Sequence, residues 1–68
     1  MRLRIELGQE EDGRWIAEVP DLPGVLAYAP TSQQAVDRVR VLALRVVADR
    51  LEHGEQVPKL DALFAVET

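Results

Sequence analysis

The chain has no cysteine. That excludes disulfides, thiolate metal sites and a cysteine nucleophile. It has one histidine, His53, so no multi-histidine metal site forms within one chain. Its one serine, Ser32, is accounted for by its place at a helix start. No glycine-rich phosphate loop is present, and no cofactor is expected. No stretch approaches the about 18 apolar residues of a membrane span. Arg2 and Arg4 lead into Ile5-Glu6, not into an apolar signal core, so a cytoplasmic location is expected. Positive charge is also scarce. Twelve acidic residues against eight basic ones give a net charge of −4. Such a balance opposes general binding to nucleic acid or anionic membranes and suits a basic protein partner.

What is present is a chain of 68 residues, 47% of them hydrophobic, which reads as one domain over residues 1–68. A core of that size supplies only about 3–5 kcal/mol. With disulfides excluded, self-association is the expected compensation.

Residues 2–9 alternate, with Leu3, Ile5 and Leu7 on one side and Arg2, Arg4 and Glu6 on the other, as in a half-buried strand. Asp12-Gly13 is a hairpin signal. Residues 14–19 alternate again, Trp15, Ala17 and Val19 against Arg14, Ile16 and Glu18. A third short strand over residues 25–29 is stopped by Pro30. Thr31-Ser32-Gln33-Gln34 has the form of a capping box, so a helix begins at about Ser32. Gly54 ends it after His53. A last strand lies within residues 60–66, most clearly Leu63-Phe64-Ala65-Val66. The order predicts an α+β, two-layer β-β-β-α-β fold. Its mixed four-stranded sheet has the order 3-2-1-4, with the long helix on one face and the other face partly open. The sequence leaves open which face Trp15 and Tyr28 take.

The helix carries more apolar surface than one sheet can cover. At 100° per residue, Ala35, Val36, Val39, Leu42, Ala43, Val46 and Val47 share a broad arc that should lie on the sheet. Val41, Leu44, Ala48 and Leu51 form a second band outside it. Burial of Leu44 and Leu51 would contribute about 1.5–3 kcal/mol each. Two readings apply: homodimer contact through this band, or cover by the stems of Arg40 and Arg45. The chain's small size favours the dimer. Pairing of dimers into tetramers is left open.

Residues 18–25 read Glu-Val-Pro-Asp-Leu-Pro-Gly-Val. Pro20 and Pro23 fix φ and remove donors, and Gly24 is free to take positive φ. The segment is either a rigid turn between two strands or a preformed contact loop. As a contact loop it would offer Glu18, Pro20, Asp21, Leu22, Pro23 and Gly24 to a partner, with little locally to cover Leu22.

Catalysis finds little support. A β-β-β-α-β order is similar to the first part of ribonuclease H-like folds, and a metal nuclease of that kind needs several converging carboxylates. Glu6 and Asp61 are the only roughly placed pair, and Asp37, Asp49 and Glu52 lie away from the core arc. No enzymatic activity is expected.

The run Asp12-Gly13-Arg14-Trp15, through Ala17-Glu18-Val19 into Pro20-Asp21-Leu22-Pro23-Gly24-Val25, with Thr31 opening a helix that contains Ala35, resembles the HicB antitoxin family. The resemblance covers residues 2–53. It implies a partial ribonuclease H-like domain without nuclease activity. It also implies a HicA-type partner, a small basic ribonuclease that cleaves mRNA and whose active surface the antitoxin covers. Two features depart from the family pattern. Ala29-Pro30 stands where Gly-Asp is common, and no C-terminal DNA-binding domain follows Thr68, so operator binding is not expected. A solitary homodimeric regulatory protein without a toxin partner is the alternative.

Overall fold

The computed structural model describes residues 3–57 and 64–67. Its elements are β1 (Glu6–Gln9), β2 (Trp15–Glu18), β3 (Leu26–Ala29) and α1 (Ser32–Glu52). The three strands form an antiparallel sheet in the order β1-β2-β3. The α+β class and the single long helix therefore stand as expected.

The β1–β2 ladder runs from Gln9↔Trp15 to Glu6↔Glu18. It stops short of the expected start at residue 2 for a local reason. In this register residue 4 would face Pro20, which has no N–H to give. The hairpin between the strands is tied by Gly13 N–H donating to the Glu10 carbonyl and Glu10 N–H to the Arg14 carbonyl. Gly13 has φ 93°. This is the pattern of a three-residue loop closed by a glycine bulge.

Side chains alternate across the sheet. Ala17, Val19, Val25 and Ala29 point at the helix and form the core with Leu22, Ala35, Val39 and Ala43. Trp15, Ala27, Leu42, Val46 and Val47 pack around this core, so the expected helix arc is the one buried. The helix lies chiefly over β2 and β3. Leu7 of β1 points the same way yet remains 45% exposed.

Both helix ends are closed as their residues dictate. Thr31 Oγ1 accepts from the Gln34 N–H at 3.2 Å, while the return bond from the Gln34 side chain is absent among the described residues. At the other end Glu55 N–H donates to the Arg50 carbonyl and Gly54 N–H to that of Leu51, with Gly54 at φ 75°. This pair of bonds is a Schellman closure.

The fourth strand is corrected in part. Residues 64–67 carry no strand pairing, and Phe64 and Val66 are 66% and 90% exposed. Residues 60–63 lie outside the described residues. A strand forms only against a partner's backbone, and among the described residues none pairs with residues 64–67. The sheet is therefore three-stranded and wholly antiparallel among the described residues, not a mixed sheet in the order 3-2-1-4.

Candidate functional site

The connection from β2 to β3 is two turns in series. Leu22 N–H donates to the Val19 carbonyl at 3.0 Å, and Val25 N–H to the Leu22 carbonyl at 3.0 Å. Val19 N–H donates to the Val25 carbonyl at 2.9 Å and closes the base. Each proline occupies the second position of its turn, where its fixed φ is preorganised. Gly24, at φ 87°, takes the third position of the second turn, which demands positive φ. Leu22 is the corner shared by both turns.

That geometry corrects the expectation for Leu22. Its side chain is 1% exposed and belongs to the core, so it is not available to a partner. The double turn folds it back over Val19 and Val25 and does not present it. Pro23 and Gly24 are exposed, and Pro20 and Asp21 are half-buried. What the loop offers outward is a stiff tip of proline and glycine with one carboxylate.

Glu18 lies on the face of the sheet that the helix does not cover. The register places Glu6, Glu18 and Leu26 in one row across the three strands, and Gly8, Ile16 and Tyr28 in the next. Leu26 and Tyr28 are 36% and 38% exposed, and Ile16 is half-buried. Gly8 adds no side chain, so nothing on β1 shields Ile16. Trp15 and Tyr28 take opposite faces, since Trp15 pairs with Ala29 and Ile16 with Tyr28.

The residues of this side are mainly acidic. Residues 4–21 hold Glu6, Glu10, Glu11, Asp12, Glu18 and Asp21 against Arg4 and Arg14. Arg14 is already engaged. Its Nε donates to Asp12 Oδ2 at 2.7 Å, its backbone N–H donates to Asp12 Oδ1 at 3.0 Å, and its guanidinium lies 4.9 Å from the Tyr28 ring centroid. The bond from the Arg14 backbone N–H, joined by that from its side chain, holds the Asp12 carboxyl below its ordinary range. Glu6, Glu18 and Asp21 form no salt bridge with any described residue. The face is thus an apolar strip of Ile16, Leu26 and Tyr28 bordered by Glu6 and Glu18, with Arg14 lying over Tyr28.

The second expected surface is also on the outside. Val41, Leu44 and Leu51 are 50%, 69% and 48% exposed, and Ala48 is exposed with them. Arg40 pairs weakly with Asp37 at 3.7 Å, and Leu44 stays exposed beside it. The band and the proline loop are separate places. Glu6 of the carboxylate pair considered for metal chemistry stands on the open sheet face, and Asp61 lies outside the described residues.

The apolar strip was the part missed in the sequence, although its signal was there. Ile16, Leu26 and Tyr28 are apolar residues on the polar phase of strands whose other phase is already apolar. Strands apolar on both phases face something on both sides.

No family model and no solved structure matches the chain. Among curated proteins it is similar to the UPF0150 protein Ta0767 of Thermoplasma acidophilum, 24% identical over 62 residues, covering 91% of this chain and 90% of that one. The two chains are of nearly equal length. No described helix is long and apolar enough to cross a membrane.

Proposed function

We propose that the chain is a HicB-like binding module without enzymatic activity, which docks a small basic protein on the open face of its sheet. A HicA-type ribonuclease is the partner that the sequence resemblance implies. The observation that carries the reading is the row Glu6–Glu18–Leu26 beside Ile16 and Tyr28. Two carboxylates directly opposite each other repel, and an arriving cation relieves the repulsion. The apolar strip supplies desolvated contact, and the charge supplies orientation and on-rate. The stiff Pro20–Gly24 loop follows Glu18 by one residue, and its exposed tip is ordered before contact, which lowers the entropy lost on docking. The remaining part of a ribonuclease H-like sheet, a strand beside β1, belongs to this reading too.

The test uses the full chain and the small basic protein that co-purifies with it from its native host. Titration should give a saturable complex weakened by salt, and RNA cleavage by the partner should stop at saturation. Glu18→Lys should weaken binding at least tenfold while the far-ultraviolet spectrum is unchanged. Equal binding by that variant would contradict the reading. The solitary homodimer keeps one specific support, the exposed band of Val41, Leu44 and Leu51.

A further inference from the structure

The tip of the first hairpin holds a pair of residues able to react with each other. A backbone nitrogen can attack the side-chain carboxyl of the aspartate before it, and a side chain on the attacking residue hinders the approach. Asparagine, which reacts in the same way, is absent from the chain. Of Asp12, Asp21, Asp37, Asp49 and Asp61, only Asp12 is followed by glycine. A Cβ placed on Gly13 would meet nothing within 4 Å, so the surroundings leave the approach open too. The side chains of Asp12 and Arg14 are 56% and 57% exposed, so water reaches the pair.

Neither burial nor bulk protects this pair, yet both reacting groups are engaged elsewhere. Asp12 Oδ1 accepts from the Arg14 backbone N–H at 3.0 Å, and Oδ2 accepts from Arg14 Nε at 2.7 Å. Both carboxyl oxygens are thus tied to the residue beyond Gly13. The attacking nitrogen is engaged as well, since Gly13 N–H donates to the Glu10 carbonyl at 2.9 Å. Ring closure takes the proton from that nitrogen and so breaks the bond. The Arg14 bonds also favour the ionised carboxylate, which is a poorer electrophile than the protonated acid. Arg14 is steadied in turn by Tyr28, whose ring centroid lies 4.9 Å from the guanidinium.

We infer that Asp12-Gly13 is a latent isomerisation site, and that Arg14 is the residue that keeps it closed. In the step, the Gly13 nitrogen bonds to the side-chain carboxyl carbon of Asp12. That carbon loses one oxygen, which leaves as water with the amide proton and the carboxyl proton. A five-membered succinimide ring results. Water then opens the ring, and opening at the main-chain carbonyl leaves the chain running through the Asp12 side chain as isoaspartate. No oxidant, metal or second substrate takes part, and the mass is unchanged. The product carries one more carbon in the main chain, inside a loop whose length sets the strand register. Glu10 N–H and the Arg14 carbonyl no longer meet in the same geometry, and the pairing Gln9↔Trp15 loses its closure. Arg14 loses its hold on the Asp12 carboxylate, so the change at the tip reaches Tyr28 on the open sheet face. The inference rests on the hairpin alone and stands independently of which protein docks on that face.

The test is ageing of the full chain at neutral pH beside a synthetic peptide of residues 8–17. Isoaspartate is read in two ways: as a fragment of unchanged mass and shifted chromatographic retention, and as methyl transfer from S-adenosylmethionine by an isoaspartyl methyltransferase. The folded chain should isomerise slower than the peptide by about tenfold or more, and urea should bring the two rates together. Arg14→Ala, with the helical spectrum retained, should isomerise faster than the unmodified chain by about threefold or more. The same change in the peptide should have little effect. Arg14→Lys keeps the backbone bond and loses the one from Nε, so its rate should fall between those of Arg14→Ala and the unmodified chain. Equal rates in the folded chain and the peptide overturn the inference. A folded Arg14→Ala that is no faster overturns it, as does an equal acceleration of the peptide by that change. If Arg14→Ala fails to fold, Arg14→Lys decides, and a rate equal to that of the unmodified chain overturns the inference.

Discussion

Glu6 and Glu18 stand directly opposite each other across β1 and β2, on the sheet face that the helix leaves open. Like charges in this position cost about 0.2–1 kcal/mol, against a gain of similar size for opposite charges. A protein under selection for stability alone has no reason to keep the pair. A protein that presents the face to a cation does, because the complex supplies the missing charge.

The first prediction follows from that trade. Glu18→Lys should raise the stability of the free protein by several tenths of a kcal/mol, since it faces Glu6. The same change should weaken a basic partner. Denaturant unfolding and titration, run on one preparation, should move in opposite directions.

Leu22 separates the structural part of the proline loop from its contact part. Leu22→Ala should destabilise the fold by about 2–5 kcal/mol, as other buried leucines do. The midpoint of urea unfolding reads this directly. A loss near zero would mean that the side chain faces solvent.

Gly24 tests the backbone alone. A Cβ there would meet nothing within 4 Å, yet φ is 87°. Gly24→Ala should therefore cost about 1–2 kcal/mol through conformation and not through a clash. Chemical denaturation should show the loss with no change in the helical spectrum.

These positions also show what could be read in advance. The hairpin, the helix bounds and the buried helix arc were legible, because each rests on local signals: alternation, Thr31, Gly54 and the 3.6-residue period. Leu22 was misjudged because its burial comes from two turns acting together, which no local pattern reports. The strand expected near Phe64 depends on where a partner backbone lies, and sequence spacing carries no such information. The open face was missed because Ile16, Leu26 and Tyr28 come together only once the register is known.

Asp12 gives a prediction in pH. Its carboxyl is held below the ordinary range by the backbone and side-chain N–H groups of Arg14. A depressed value in the folded state means that the contribution is complete above the unfolded value and is lost as pH falls through the folded one. Carbon-13 titration of the Asp12 side chain should give a midpoint below that of a free aspartate. The Arg14 Nε signal should shift in the same acidic window. Because the pair is exposed, global stability should change little there.

The most direct measurement is recovery of partners by the tagged full chain from its native host, run beside the Glu18→Lys and Tyr28→Lys double variant. The account predicts that the unmodified chain retains a small basic protein that cleaves RNA once released and stops cleaving when the chain is restored. The variant, folded to the same extent, should retain none. Recovery of no basic protein, or equal recovery by the variant, would contradict the account.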